Sequence, residues 1–160
     1  MYQKARIRYS FGMEPIPAEE EVVHEDSCIF CKLIRREIPS EVLYEDEHTL
    51  VFLDNAPNTA GHTLVIPKKH ARNIFDIDQS SLAAVAETLR KVAPGVRDAV
   101  GAKGVHINSN HGEAAGQVVF HLHFHIIPRH DKKEFEFWPK IDYAPGEAAS
   151  VAEKIRAQLK

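Results

Sequence analysis

In the stretch His121-Leu122-His123-Phe124-His125-Ile126-Ile127-Pro128-Arg129, imidazole and apolar side chains alternate with a period of two. Side chains on a strand point alternately to opposite faces, so the pattern predicts a half-buried β-strand with Leu122, Phe124 and Ile126 on the core side and the three imidazoles together on the other. Neighbours on one face lie about 6.6–6.8 Å apart along the strand, close enough to meet one substrate or one metal in different roles. One reading is a polar face that happens to be rich in histidine. A second is a tridentate zinc site, which imidazoles on a strand can form. A third is a set of nucleophilic and proton-handling groups around one substrate. Three of the chain's ten histidines fall within these five residues, which makes the first reading the weakest.

The elements that position this stretch follow from the rest of the chain. Residues 1–26 show little periodicity and contain Pro15, Pro17 and the run Glu19-Glu20-Glu21, as expected of an extension preceding the domain. Ser27 through Arg36 read as a short helix capped near Ser27 and stopped before Pro39, whose ring disfavours helical geometry in the residue ahead of it. Cys28 and Cys31 on this helix form a CxxC pair, open to three readings: zinc ligands, a redox dithiol, or two buried thiols. Val42–Tyr44 and Thr49–Asp54 are β-rich runs joined by the polar Glu45-Asp46-Glu47-His48, a hairpin pattern. After a turn-like segment ending at Gly61, His62–Pro67 predicts a third strand, leading into Lys68-Lys69-His70.

Ser80 or Ser81 is the expected cap of a helix whose apolar residues Leu82, Val85, Leu89, Val92, Val96 and Val100 keep helical phase. The phase continues past Pro94, predicting one kinked helix rather than two separate ones, with the proline's cost of about 3 kcal/mol recovered through packing. Lys103–Ser109 is a fourth strand, and the small-residue loop Asn110–Gln117 leads into the histidine stretch. Ala148, Val151, Ala152, Ile155 and Leu159 predict a C-terminal helix. The connections other than the long helix are too short for parallel crossovers, so the expected fold class is α+β, an antiparallel sheet of about five strands with flanking helices.

At 160 residues the chain buries about two-thirds of its unfolded surface as one domain. No run of 18 apolar residues and no signal-peptide core is present, so a cytoplasmic protein without a membrane partner is expected. A net charge of −3 supplies no general basic face, and no nucleic-acid partner is expected. Lys68, Lys69, Arg129, Lys132 and Lys133 could form a local phosphate-friendly rim.

His121-Leu122-His123-Phe124-His125-Ile126-Ile127 resembles the signature of the histidine triad (HIT) family. The similarity extends over 27–130, with Cys28-Ile29-Phe30-Cys31, Glu37-Ile38-Pro39, Phe52-Leu53-Asp54, Gly61 through His70, and Gly116-Gln117 in the family's order and spacing. The resemblance implies an extension (1–26), a HIT domain (27–130) and a C-terminal segment (131–160) whose helix packs on the domain. It further implies a homodimer and a nucleotidyl hydrolase or transferase cleaving at the α-phosphate of a nucleotide conjugate. The chemistry suits the spacing: a neutral imidazole at His123 can attack phosphorus and form a phosphorus–nitrogen intermediate, and a carbonyl accepting its Nδ1 proton would aim Nε2 at phosphorus.

By the same resemblance, His125 lies on the leaving-group side and helps place a proton, and His62 buttresses the triad. Asn110, Gln117 and the backbone amide of Val119 would hold the phosphate. Asp54 would accept from the ribose hydroxyls, unless it only initiates the turn at Asn55. Phe30, Leu33, Ile38 and Phe52 match positions lining a base pocket, for which a purine is expected; each could equally be plain core. Cys28, Cys31, His70 and His121 match the ligands of a structural zinc in zinc-bearing HIT-like proteins. With His121 committed there, the tridentate reading of the triad falls. Where the Hint branch carries a serine after Gly-Gln, this chain has Val118, leaving the acid function to His125 or to the substrate. Arg129 is similar to the dinucleoside-polyphosphate branch, and Phe137-Trp138-Pro139 to the C-terminal tryptophan of the Hint branch. A nucleotide-binding regulatory protein with little turnover is the alternative; only release of a leaving group separates the two.

Overall fold

A computed structural model describes residues 25–134 and 140–159. All but Glu25 and Asp26 of the expected N-terminal extension, and all of Phe137-Trp138-Pro139, lie outside the described residues. In chain order the elements are α1 (Ile29–Ile34), β1 (Val42–Glu45), β2 (Thr49–Leu53), β3 (Thr63–Pro67), α2 (Gln79–Ala99), β4 (Gly104–Asn108), β5 (Phe124–Arg129) and α3 (Glu147–Gln158). Short 3-10 turns occupy Glu113–Ala115 and Lys132–Glu134. The five strands form one antiparallel sheet in the order β1-β2-β3-β5-β4, which is the expected α+β fold.

The sheet is buried on both faces, and the sequence of β2 shows why. Leu50, Val51 and Phe52 are all buried, so the run reads as continuous apolar residues rather than an alternation. Leu50 and Phe52 pack with Leu64 and Ile66 against Phe30, Cys31 and Leu33 of α1. Val51 and Val65 face the other way with Ile126, against Val85 and Val96 of α2. The helix α2 runs unbroken through Pro94, as the apolar phase predicts.

Three helix ends differ in detail from the sequence reading. The N-cap of α2 is Asp78, whose Oδ1 accepts the Ser81 amide at 2.8 Å. Ser80 and Ser81 instead donate their hydroxyls to that carboxylate, because a charged acceptor at the N-terminus satisfies the orphan amides better than a hydroxyl does. For α1 the N-cap is Cys28 without a side-chain hydrogen bond, and the Ser27 hydroxyl donates to Glu25. The helix stops well before Pro39. Arg36 takes φ 61, with Arg36 N–H donating to Leu33 O and Glu37 N–H to Lys32 O at 2.9 Å, a Schellman closure made without the usual glycine.

The histidine strand is also shorter than expected, starting at Phe124. Its ladder with β3 begins at Val65↔Phe124. Beyond that point Pro67 has no N–H to offer, its carbonyl is 2.8 Å from His121 Nε2, and Leu122 N–H donates to Ala71 O. Residues 121–123 are thus held by separate bonds rather than by a ladder. Gly61 closes the turn before β3 with φ 84, and a Cβ there would sit 2.9 Å from Val100 Cγ1; both the backbone angle and the close approach call for glycine.

The described residues divide into two compact units, one ending at His130 and the other beginning at Asp131. In the second, α3 forms where the apolar spacing predicts, starting after Gly146 at φ 82. No described helix is long and apolar enough to cross a membrane.

Candidate active site

A cleft of about 850 Å³ opens beside α1 and is lined by the apolar Phe30, Leu33, Ile38 and Phe52, by Asn110, Gly116, Val119, His123 and His125, and by Asp54; the Phe30 ring stands 5.3 Å from that of His123. That volume is ample for a nucleotide-sized ligand. Every residue assigned from the sequence to the base, the ribose and the reacting phosphorus lies on this wall except Gln117, His62 and His121, which stand behind it.

The bonds behind the wall fix the state of each imidazole. His123 Nδ1 is 2.6 Å from the carbonyl of His121; a carbonyl only accepts, so Nδ1 carries the proton and Nε2 presents a lone pair. The His123 carbonyl in turn accepts the Ser109 hydroxyl at 2.6 Å. His62 Nδ1 accepts the Asn58 amide at 3.1 Å, which leaves the His62 proton on Nε2, 2.9 Å from His125 Nδ1. His125 therefore keeps its own proton on Nε2. One ring offers a nucleophilic nitrogen and its neighbour, 5.0 Å away between centroids, offers a donor.

Burial drives all three of these rings toward neutrality. It is the leading cause that lowers His62, where Asp54 opposes it, and that lowers His123, where the His121 carbonyl opposes it. His125 is taken down to about 4 by burial and then by His123 and His62. A neutral His123 is what attack on phosphorus requires.

Asp54 does two things. Its Oδ1 accepts the Ala56 amide at 2.8 Å, the turn-initiating bond, and its Oδ2 lies 3.5 Å from His62 Nδ1. It also lines the cleft, so making the turn does not remove it from the wall.

Gln117 departs from the expectation of phosphate contact. It is buried, its Nε2 donates to Arg72 O at 2.6 Å and Val119 O at 3.1 Å, and its Oε1 accepts the Gly112 amide at 2.8 Å. Both amide hydrogens are thus spent shaping the loop. Gly112 and Gly116 take φ 89 and 81, bringing that loop's backbone to the cleft. The expected rim of lysines is not formed by Lys68 and Lys69, which pair with Glu45 at 2.8 Å and Asp78 at 3.5 Å, since nearby carboxylates compete for them.

His121 turns away from the cleft into a second cluster with Cys28, Cys31 and His70, whose ligand atoms all lie within 4.8 Å of one another. His121 Nε2 donates to Pro67 O, so Nδ1 faces the sulfurs unprotonated, at 3.5 Å from Cys28 and 3.7 Å from Cys31. His70 Nδ1 is 3.4 Å from Cys31 Sγ, and its Nε2 is 3.0 Å from the Glu25 carboxylate. Bonds of about 2.3 Å to sulfur and about 2.0–2.1 Å to nitrogen, at the tetrahedral angle, separate S and N by about 3.5 Å. The three sulfur–nitrogen separations of 3.4–3.7 Å match that value, so the donor set suits a tetrahedral ion. Burial pushes the Cys31 thiol up to about 11 while the Glu25 amide pulls it down; a bound cation would favour the thiolate. The carboxylate behind His70 and the carbonyl behind His121 are the outer partners that orient ligating imidazoles.

The sequence reading did not single out Asn58, Ser109 or Glu25. The first two act through hydrogen bonds formed only by folding. Glu25, three residues ahead of Cys28, carried a local signal as an acidic residue beside a CxxC pair.

The HIT domain model matches residues 35–132, and the chain belongs to the HIT family. "Protein hit" of Bacillus subtilis is 41% identical over 138 residues, spanning 84% of this chain and 95% of that one. Adenosine 5'-monophosphoramidase hnt1 of Schizosaccharomyces pombe is 37% identical over 137 residues, 84% and 99% of the two chains. Adenylylsulfatase HINT3 of Arabidopsis thaliana is 40% identical over 108 residues, 68% of this chain and 55% of its own. Among solved structures, a protein of Streptococcus mutans superimposes with a TM-score of 0.81 at 38% identity, covering 86% and 88%. A Zn-bound histidine triad family protein from Mycobacterium smegmatis gives 0.65 at 36% identity, covering 82% and 97%.

Proposed function

We propose that this protein cleaves phosphoramidate or phosphoanhydride bonds at the α-phosphate of purine nucleotide conjugates through a nucleotidyl-His123 intermediate. The observation that carries the reading is the pair of tautomers in the cleft, a bare Nε2 on His123 and an Nε2–H on His125. Relatives that are named as an adenosine monophosphoramidase and an adenylylsulfatase support the nucleotide class.

In the first step His123 Nε2 forms a bond to phosphorus as the bond to the leaving atom breaks. The electron pair goes with that atom, which takes up a proton from His125 Nε2 or from water; the proton released in the second step restores it. His125 Nε2–H stabilises the charge developing there or on a phosphate oxygen. Asn110 and the Val119 amide hold the phosphate on the loop that Gln117 shapes, Asp54 receives the ribose hydroxyls, and Phe30, Leu33, Ile38 and Phe52 enclose the base. In the second step water attacks phosphorus, the P–N bond breaks, and nucleoside monophosphate and a proton are released. Cys28, Cys31, His70 and His121 would hold a structural zinc, which would neutralise two thiolates and tie α1 to the chain ahead of β5. The backbone of His121 would couple that site to His123, since its carbonyl accepts the His123 Nδ1 proton. We also take the working form to be a cytoplasmic homodimer; β4 ends the sheet on one side and offers an edge for pairing.

Rapid quench into base followed by mass spectrometry tests the mechanism, because a phosphoryl-imidazole is acid-labile. One nucleoside-monophosphate adduct should appear on His123, and His123→Asn should bind nucleotide while losing several orders of magnitude in turnover. Near wild-type turnover by His123→Asn on every conjugate would mean that water attacks directly, and binding without any release of leaving group would leave a nucleotide-binding regulatory protein.

A further inference from the structure

Next to the cleft lies a second groove of about 580 Å³, with Arg72, Phe120, Glu25 and Ser27 on its walls. Ile29, Val118 and Val119 belong to the linings of both. The two spaces therefore adjoin at Ile29 and at the loop after Gly116, which borders the same cleft as His123 and His125. A leaving group that departed across Val118 and Val119 would enter this groove.

Among the described residues the groove holds one cation, Arg72, with no carboxylate partner. Arg72 is exposed, and its guanidinium carbon stands 5.3 Å from the centroid of the Phe120 ring. The Glu25 carboxylate in the same groove already serves Ser27 at 2.7 Å and His70 at 3.0 Å. The Arg72 backbone is fixed from both sides: its amide donates to Asp76 Oδ2 at 3.2 Å and its carbonyl accepts from Gln117 at 2.6 Å. Gln117 thereby ties Arg72 to the loop that also carries Val118 and Val119. Stacking on Phe120 limits where the guanidinium fork can point, which lowers the entropy lost when it binds an oxyanion. Val118 is 86% exposed, an apolar shelf at the junction that no described residue covers.

We propose that this groove is the leaving-group subsite, in which Arg72 pairs with an oxyanion carried by the leaving moiety while Ile29, Val118 and Phe120 contact its apolar part. The inference rests on the nucleotidyl-transfer reading above and adds the class of conjugate: nucleotides whose leaving group bears a carboxylate or a phosphate some distance beyond the scissile bond. Arg72 is a specificity residue here, with no part in the chemical step.

The test uses three adenosine phosphoramidates with one aliphatic amine skeleton: neutral, carboxylate-bearing and phosphate-bearing. For the wild-type protein, kcat/KM should favour at least one anionic conjugate over the neutral one by about tenfold, the worth of a hydrogen-bonded charge. The arm that is favoured identifies the oxyanion. Arg72→Ala should erase that ratio, and Arg72→Lys should restore part of it, since charge returns without the planar fork. The same three conjugates, measured as Kd on the His123→Asn variant and on His123→Asn combined with Arg72→Ala, should repeat the pattern. These binding ratios test the groove even if no conjugate is turned over, a result that would sink the hydrolase reading alone. An anionic-to-neutral ratio that Arg72→Ala leaves unaltered, in both kcat/KM and Kd, would overturn the subsite, as would a wild-type protein with no anionic preference in either.

Discussion

Asp54 allows its turn-forming and ligand-binding roles to be separated by experiment. Its Oδ1 is engaged by the Ala56 amide at 2.8 Å, a bond that an asparagine oxygen can also accept, whereas an alanine cannot. Asp54→Asn should therefore keep the turn while removing the charge, and Asp54→Ala should remove both. A hydrogen bond to a charged acceptor contributes about 1.5–3 kcal/mol and one to a neutral acceptor about 0.5–1.5 kcal/mol. Replacing carboxylate by amide thus removes about 1–1.5 kcal/mol per ribose bond, close to tenfold in Kd, and deleting the acceptor removes roughly ten- to a hundredfold. Titration calorimetry with adenosine monophosphate and with its 2',3'-dideoxy analogue isolates the ribose contribution, because the analogue has no hydroxyl to lose. Both variants should weaken the monophosphate, Asp54→Ala more than Asp54→Asn, and neither should weaken the dideoxy compound by more than about twofold, the level of ordinary context effects. Thermal unfolding supplies the control: Asp54→Asn should melt near wild type. If each variant weakens both nucleotides equally, the carboxylate acts only on the turn and on His62, and it has no place at the ribose.

Purified protein should contain about one zinc per chain, and Cys28→Ser or Cys31→Ser should lower both metal content and Tm, because binding to this closed set is linked to folding; metal-free wild-type protein whose Tm matches both variants would refute the zinc assignment. For pH, protonation of His123 blocks attack, and burial holds its pKa below the ordinary imidazole value. The acid limb of kcat/KM should accordingly fall below about 6.5, the unperturbed value, and a limb at or above that value would contradict a buried neutral nucleophile. The same groups set a stability trend: the unfolded chain binds more protons than the folded one between about 6.5 and the folded value of His125 at about 4. Stability should thus drop as pH is lowered through that window, with no loss from these histidines above it; a flat profile of Tm against pH there would count against their burial.

Most of the elements could be read in the sequence because their signals are local. The alternation in 121–129, the hairpin around Glu45–His48 and the apolar phase carried past Pro94 each sit within one element, where periods of two and 3.6 act on neighbouring residues. The candidate ligands and the histidine pair were also legible, through the resemblance of short motifs whose spacing along the chain is fixed. Local reasoning failed where a nearby competitor was stronger, as when Asp78 took the cap from Ser80 and Ser81, or when Arg36 closed α1 ahead of Pro39.

What only tertiary structure decided are the partners. Cys28 and His121 are 93 positions apart and meet because α1 lies on the sheet face below residues 121–123. Asn58, His62 and His125 form their relay across β3 and β5, and only that relay says which nitrogen of His125 keeps its proton. The alternation alone could place three histidines at alternate positions; it was the resemblance, and not the periodicity, that assigned His121 to the cysteines and His123 to the cleft. Neither of them could spend Gln117 on the carbonyl of Arg72. Those outcomes depend on which donors and acceptors folding brings within about 3 Å, a distance at which one hydrogen bond selects a tautomer, and no periodicity along the chain encodes them.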